Sequence, residues 1–398
     1  MPSEHALLAP SAAHRWMHCP ASARLEACFP SRDTVYTLEG TFAHACAERA
    51  LNNLLDAEAK HTDPKPDAFA DLYEQLETEG FSTADAISYA LDHFVQPVWA
   101  AYQTAKASDP EAVLLVEQKL DLSAFVPGGF GSSDAVLISR GRLTVYDLKY
   151  GKGVKVYAEQ DGQLNEQMLC YALGAVIGAG ELYHIDTVRM TIIQPRLSHT
   201  STAEISYDRL LEWAARELRP AAVAATVGTE MHPGSHCRFC RAAARCQALH
   251  DYAEGAAGAL RPAPMTVPQL AEALGSLDII KAWIKSVEDA SLRILLEGGS
   301  LPGWKLVEGR SNRRISDPDG AVKALRDAGL DDASIFKPQE LRTISELEAL
   351  LTKPVFKTLL GEFVTRPKGS PTIAPETDSR ADYRLDAATE FAGQIINP

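Results

Sequence analysis

Two aspartates in a short hairpin are the residues best placed to do chemistry in this chain. The segment Ser132-Ser133-Asp134-Ala135-Val136-Leu137-Ile138 leads to Arg140-Gly141 and returns as Leu143-Thr144-Val145-Tyr146-Asp147-Leu148-Lys149. With Arg140-Gly141 as a two-residue loop, Ser139 pairs with Arg142 and Ile138 with Leu143, a register that sets Asp134 opposite Asp147. Facing Cβ atoms in antiparallel strands lie about 5 Å apart, where like charges repel. Val136, Ile138, Leu143 and Val145 share that face, so the two carboxylates end an apolar stripe and need neutralising. A divalent cation is the simplest candidate. Lys149 lies two residues beyond Asp147 and returns to the same face. Two acids and a lysine converging at a hairpin end suit metal-assisted phosphodiester hydrolysis, the chemistry of a nuclease.

A second set of residues points to a different inorganic site. Cys237, Cys240 and Cys246 are spaced C-x2-C-x5-C, and Arg238, Arg241 and Arg245 make their segment too polar for a buried thiol cluster. Three thiolates this close read as metal or cluster ligands. The chain has seven cysteines, an odd number that argues against a disulfide framework. Cys28, Cys46 and Cys170 lie in apolar or helical settings and read as ordinary buried thiols. Cys19 sits in a turn-like Trp16-Met17-His18-Cys19-Pro20-Ala21-Ser22 and is the expected fourth ligand. A [4Fe–4S] cluster is favoured over structural Zn²⁺, because zinc sites usually pair two C-x2-C knuckles and Cys19 is isolated. Its expected role is to clasp the ends of the domain.

The elements that must carry these residues follow from periodicity and punctuation. Residues 11–28 read as a helix broken at Cys19-Pro20. Leu38 to Leu55 is a strong helix with His44 and Glu48 on one face. Residues 60–83 read as irregular or partly helical, and Thr83 to Ala107 as a second long helix. A strand over Ala112–Leu120 carries Glu117, and the hairpin follows. Helix 161–178 bears Gln167 and Tyr171, strands at 187–194 and 201–206 complete a mixed sheet, and helix 207–227 leads to the cysteines. The pattern predicts an α/β domain over 1–254, a linker at 255–266 and a smaller, mainly helical module over 267–398. That module should hold helices at 267–274 and 277–296, a strand-like stretch at 302–308, and a proline-rich tail from Arg366.

Bulk properties set limits. With 398 residues, the chain is long enough for two domains. The 46% hydrophobic and 23% charged content is that of a soluble globular protein. No run reaches the ~18 apolar residues of a membrane span, and the first ten residues lack a secretory pattern, so a cytoplasmic location is expected. A net charge of −14 weighs against a general nucleic-acid coat protein. Arg310-Ser311-Asn312-Arg313-Arg314 is the one dense basic cluster, a possible DNA-backbone contact or simply a solvated face.

Taken in order, His44 on a helix, Glu117 on a strand, Asp134, Asp147-x-Lys149, and Gln167-x3-Tyr171 on a helix resemble the PD-(D/E)XK nuclease superfamily and its RecB-like branch. One cysteine before this core and three after it are similar to the iron–sulfur variety found in CRISPR adaptation exonucleases and AddB-type nuclease domains. Asp147-Leu-Lys-Tyr-Gly-Lys-Gly, Tyr-Ala-Leu-Gly-Ala (171–175) and the stretch from Glu308 to Arg313 resemble a phage and prophage family of that branch. The one departure is Gly131-Ser132-Ser133 where a proline commonly precedes the first aspartate. The resemblance implies that His44, Asp134, Asp147 and the Leu148 carbonyl ligate one or two Mg²⁺ or Mn²⁺ ions, with Glu117 auxiliary. It implies that Lys149 orients or deprotonates the attacking water. Gln167 and Tyr171 would contact DNA or support the lysine, although at i, i+4 they also suit a plain packing pair.

The expected function is thus a metal-dependent exonuclease on linear DNA, single- or double-stranded, in phage-type recombination or replication. A phage single-strand annealing or binding protein is the expected partner, and a bacterial host's cytoplasm the expected compartment. The alternative is a catalytically weak DNA-end-binding or assembly protein on the same fold.

Overall fold

The Arg140-Gly141 turn sets the register of the central sheet. Both residues adopt positive φ, 47° and 73°, as a type I′ loop requires. A Cβ added at Gly141 would meet the tip of the exposed Asp186 side chain, which can move aside, so the positive φ is what favours glycine here. Around this turn the computed structural model describes residues 6–29, 35–64, 83–180, 182–257, 266–305, 307, 318–327, 344, 353–360 and 363–364.

In chain order the elements are α1 (Ala13–His18), α2 (Ser22–Ala27), α3 (Val35–Lys60), and α4, which runs through Thr83–Ala90, Leu91–Val95 and Gln96–Ser108. Strands β1 (Val113–Asp121), β2 (Phe130–Ser139) and β3 (Arg142–Leu148) precede a small hairpin, β4 (Glu159–Gln160) and β5 (Gln163–Leu164). Then come α5 (Glu166–Ala179), β6 (Thr187–Gln194), β7 (His199–Ser206) and α6 (Tyr207–Trp213, Ala214–Leu218, Arg219–Val227). Single turns over the cysteines lead to α7 (Gln247–Ala257) and α8 (Val267–Leu296).

The fold is mixed α/β. Five strands in the order β1-β2-β3-β6-β7 form one sheet. All neighbours are antiparallel except β3 and β6, which are parallel and joined through α5, as a crossover connection demands. Alternation along β2 and β3 feeds two cores. Val136, Ile138, Leu143 and Val145 pack with Met168, Leu173, Met190 and Trp16. Ala135, Leu137, Tyr146 and Leu148 pack with Phe42, Leu51, Phe94 and Val98 from α3 and α4. Each buried Val, Leu, Ile, Met or Phe among them contributes about 1.5–3 kcal/mol on burial. Helix α5 lies close against β1: a Cβ added at Gly174 would come within 2.8 Å of the Leu120 Cβ.

Two long helices share an irregularity with one cause. The π-turns Leu91–Val95 and Ala214–Leu218 each end two residues before a proline, Pro97 and Pro220. Proline cannot donate to the carbonyl four residues back and its ring crowds that carbonyl, so the helix widens ahead of it.

Several expectations shift. The helix expected from 161 begins at Glu166, because Asp161 and Gly162 (φ 53° and 77°) turn the β4–β5 hairpin. Asn165 caps that helix, accepting from the Met168 N–H. The helices expected at 267–274 and 277–296 are one, α8, since Gly275 in a helix interior costs only about 1 kcal/mol. Among the described residues of the strand-like stretch expected at 302–308, an isolated bridge joins Leu301 to Trp304, and positions 306 and 308 lie outside the described residues. Cys28 is exposed rather than buried.

The chain divides into two units, Met1–Trp304 and Lys305–Pro398, so α8 packs with the first, where it meets α7 and the cysteine turns. In the second unit the described residues include α9 (Pro318–Asp327) and α10 (Lys353–Leu360). Residues 65–82, most of the expected linker, Arg310–Arg314 and the tail from Arg366 lie outside the described residues. Among the described residues no helix is long and apolar enough to cross a membrane.

Candidate metal centre and cysteine cluster

Three carboxylates form a row across the end of the sheet. The pairs Val116–Ala135 and Gln118–Ser133 bracket Glu117 opposite Asp134. Ala135 pairs with Tyr146, so the next step of the register sets Asp134 across from Asp147. Glu117 holds φ at +46°, a left-handed conformation that is strained for a residue with a side chain. Strain of this kind concentrates where a side chain must be re-aimed, and here it lies within an otherwise regular edge strand.

Helices on both sides of the sheet complete the row. From α3, His44 Nδ1 lies 2.8 Å from Asp134 Oδ1. The Leu148 N–H donates to Asp134 Oδ2, so Leu148 enters the site through its amide. Lys149 Nζ lies 3.0 Å from Asp147 Oδ2 and donates to Oδ1 at 3.2 Å. From α5, Gln167 Nε2 donates to Tyr171 Oη at 2.9 Å and reaches Asp147 Oδ1 at 3.4 Å. The pair at 167 and 171 is therefore in contact with the acid row as well as with itself. Beyond Lys149, Gln194 at the end of β6 holds the loop in place by accepting from Val156 N–H at 2.7 Å and donating to the Val154 carbonyl at 3.0 Å. Nothing in the sequence marks Gln194 for this task.

The charges in the row do not titrate alike. Burial pushes the Asp147 carboxyl up and the Asp134 charge adds to this, while Lys149 opposes it. Burial acts on Asp134 in the same sense, but the charge and hydrogen bond of His44 outweigh it and hold that carboxyl down. Burial disfavours the His44 imidazolium, yet Asp134 beside it raises the ring above its ordinary value. Burial and then Asp134 push Glu117 up to about 7. A raised carboxyl destabilises the fold as it ionises. In metal-free protein, stability linked to Glu117 is present below the unfolded value of about 4.3 and lost as pH rises through about 7. Glu117→Gln is expected to raise the melting temperature in EDTA at pH 8 and leave it unchanged at pH 4. Thermal melts across that range check this; equal shifts at both ends would remove the linkage.

The residues fit a hard divalent cation. Asp147 Oδ2 is buried beside the Lys149 ammonium, 3.0 Å away. Ligand atoms of His44, Glu117 and Asp134 lie within 4.8 Å of one another. An octahedral ion with bonds of ~2.1 Å has cis ligands about 3.0 Å apart, close to the His44–Asp134 separation. Oxygens and one imidazole form a donor set suited to Mg²⁺ or Mn²⁺.

The cysteines converge as well. Cys19, Cys237, Cys240 and Cys246 all line one small cavity with Arg15, Leu25, His236 and Leu249, and none is in a disulfide. The turns that present them close through Cys240 N–H to the Cys237 carbonyl at 3.1 Å and Gly234 N–H to Cys237 Sγ at 3.4 Å. Burial raises the Cys237 thiol, with Cys19 and Cys246 nearby adding to it. Burial pushes Cys240 up to about 12, so thiolates here call for a bound cation. The flanking segments are joined around this cavity. Ala21 N–H donates to the Glu230 carbonyl at 3.0 Å. Buried Glu26 accepts from Arg15 Nε at 2.9 Å and from the Arg241 N–H at 2.9 Å. Four sulfurs around one cavity fit a thiolate-bound cluster or Zn²⁺ alike.

Among solved structures, the crystal structure of SSO0001 is similar at 15% identity over 45% of this chain and 79% of that one. Its TM-score of 0.18 is too low for the likeness to bear on the fold. A family match is far more extensive, covering residues 5–381, which takes in the acid row, the four cysteines and much of the second unit. On that match the chain belongs to the family described as protein of unknown function DUF2800.

Proposed function

We propose that this protein is a metal-dependent deoxyribonuclease with a PD-(D/E)XK type of core, acting as an exonuclease on linear DNA in phage-type recombination or replication. The observation that carries the reading is the row Glu117–Asp134–Asp147, flanked by His44 on one side and Lys149 on the other. A binding module has no need of three adjacent carboxylates, which cost stability unless a cation joins them. One or two Mg²⁺ or Mn²⁺ ions held by His44, Asp134, Asp147 and Glu117 would supply Lewis-acid activation of water and charge neutralisation at the phosphate. Lys149 Nζ, anchored on Asp147, is placed to orient the attacking water and to offset charge growing on a phosphate oxygen. Gln167 fixes Asp147 from the opposite helix layer and keeps its Oδ1 oriented. Tyr171 keeps its proton, since burial raises its phenol well above the ordinary value, so it acts as a neutral hydrogen-bonding group.

The four cysteines support a second part of the reading, a [4Fe–4S] cluster that clasps the two ends of the core, with structural Zn²⁺ as the other occupant of the same chemistry. A phage annealing or single-strand-binding protein is the proposed consumer of the product ends.

The test is degradation of end-labelled linear DNA by anaerobically purified protein with Mg²⁺ or Mn²⁺. Lys149→Ala and EDTA are expected to abolish release of label, and its pattern in the wild type gives the polarity. Equal inertness of wild type and Lys149→Ala on single- and double-stranded DNA would overturn the nuclease reading. DNA-end binding or assembly without turnover would then replace it.

A further inference from the structure

A third group of ligating side chains lies outside the acid row and outside the cysteine cavity. His14 and His18 are four residues apart on α1, so both rings leave the same face of that helix. They meet Glu166, the first residue of α5. His14 Nδ1 is 3.2 Å and His18 Nε2 3.1 Å from the same oxygen, Glu166 Oε1. The three ligand atoms lie within 4.8 Å of one another, and the two imidazoles sit edge to face at 4.9 Å. A carboxylate oxygen can accept from two donors, but two imidazoles and a carboxylate with their ligand atoms this close also make up a metal's donor set.

From this geometry we infer that His14, His18 and Glu166 form a zinc site that ties the segment ahead of Cys19 to helix α5. Two imidazoles and a carboxylate are a borderline donor set that Zn²⁺ accepts with a water in the fourth position. Bonds of ~2.0–2.1 Å at tetrahedral angles separate ligand atoms by about 3.3 Å, and the two separations to Glu166 are already near this value. The His14 and His18 side chains are 52% and 51% exposed, so an ion can enter from solvent, whereas Glu166 at 23% anchors the inner side. His236 stacks on His18 with centroids 5.9 Å apart and holds that ring's plane. His236 Nε2 is engaged with the His232 carbonyl at 2.7 Å, which leaves the ring as a wall of the site. Glu166 adjoins Gln167, and His18 adjoins Cys19, so an ion here would fix the spacing between the cysteine clasp and the helix that reaches Asp147. The site is independent of the nuclease reading: it asks only for metal, not for turnover.

The experiment counts bound Zn²⁺ by equilibrium dialysis and elemental analysis on the full chain, purified anaerobically so that the cysteine site stays loaded. Wild type is compared with His14→Ala/His18→Ala and with Glu166→Gln, which changes a single atom and keeps the fold testable by circular dichroism. Both variants are expected to bind one equivalent less than wild type, with iron and visible absorption unchanged. Co²⁺ in place of Zn²⁺ should give wild type a tetrahedral d–d band free of thiolate charge transfer, and that band should be missing from Glu166→Gln. Equal stoichiometry and affinity in all three proteins would overturn the site. So would a cobalt band carrying thiolate charge transfer that persists in both variants, because the ion would then reside on the cysteines.

Discussion

Asp147→Asn is expected to lose DNA hydrolysis by roughly a thousandfold or more, while its metal-free form melts at a higher temperature than the wild type. The first effect follows from removing one charged ligand and the negative partner of the Lys149 ammonium, since ~4 kcal/mol of transition-state stabilisation is worth about a thousandfold in rate. The second follows from the direction of the Asp147 shift. Its carboxyl is raised by burial and by Asp134, so in metal-free protein at neutral pH the ionised form destabilises the fold. The linked stability is present below the unfolded value near 3.9 and is lost as pH rises through the folded one. A neutral isostere removes that loss and still offers Oδ1 to Gln167 and Lys149. The gain should therefore appear at pH 7 in EDTA and fade at pH 3. Adding Mn²⁺ should reverse the ranking, because only the wild type has a full ligand set to be stabilised. Melting curves with EDTA and with Mn²⁺, beside the DNA assay, check all three statements. A variant that is inactive yet less stable than wild type in EDTA would show Asp147 to be a packing residue rather than a carboxylate held for metal.

The second large effect concerns the clasp. Cys240→Ser is expected to lose the iron and the visible absorption that a cluster confers, and to destabilise the first unit by ~3–5 kcal/mol. Serine is nearly isosteric, so packing alone predicts little change; the loss measures the ligand. The protein contacts around the cavity are few: Ala21 to Glu230, Glu26 to Arg15 and Arg241, and His232 Nδ1 at 3.2 Å from the His18 carbonyl. Without the bound group, the N-terminal helices keep the Glu26–Arg241 and His232–His18 contacts and the stacking of His18 on His236. Iron and sulfide analysis, melting temperature and limited proteolysis ahead of residue 29 give the readouts. Zinc in place of iron in the wild type would assign the site to Zn²⁺. Unchanged stability and metal content in the serine variant would remove Cys240 from the ligand set.

The hairpin was legible because its geometry is decided by parity. A two-residue Arg-Gly loop leaves no freedom of register, and the alternation of Val136, Ile138, Leu143 and Val145 tells which face is buried. That alone places Asp134 and Asp147 together. Glu117 could be assigned to a strand, but its left-handed backbone could not be foreseen, because nothing local distinguishes it from a regular strand residue. His44 was identified by its order in the chain, since an isolated histidine on a helix has no local signal of ligation. The β4–β5 hairpin escaped notice because strands of two residues show no alternation, although Asp161-Gly162 is itself a turn signal. The π-turns leave a trace only in Pro97 and Pro220, which by themselves could equally have ended a helix. Exposure of Cys28 was missed because burial of a short helix depends on partners far away in sequence. His14-x3-His18 was visible as a spacing, but only the fold supplies Glu166.

The packing of the N-terminal helices against the far end of the first unit has a consequence for how the chain is made. Trp16 is almost wholly buried, in a core shared with Leu218, Ala222 and Ala225 of α6. Arg24 bonds to the Val227 carbonyl, 203 residues later in sequence. At a synthesis rate of ~5–20 residues per second, a nascent chain spends roughly 10–40 s with Trp16 made and its partners not yet translated. Throughout that interval the part of its core that α6 supplies is missing, so the N-terminal helices reach their final packing only after the chain has passed Val227.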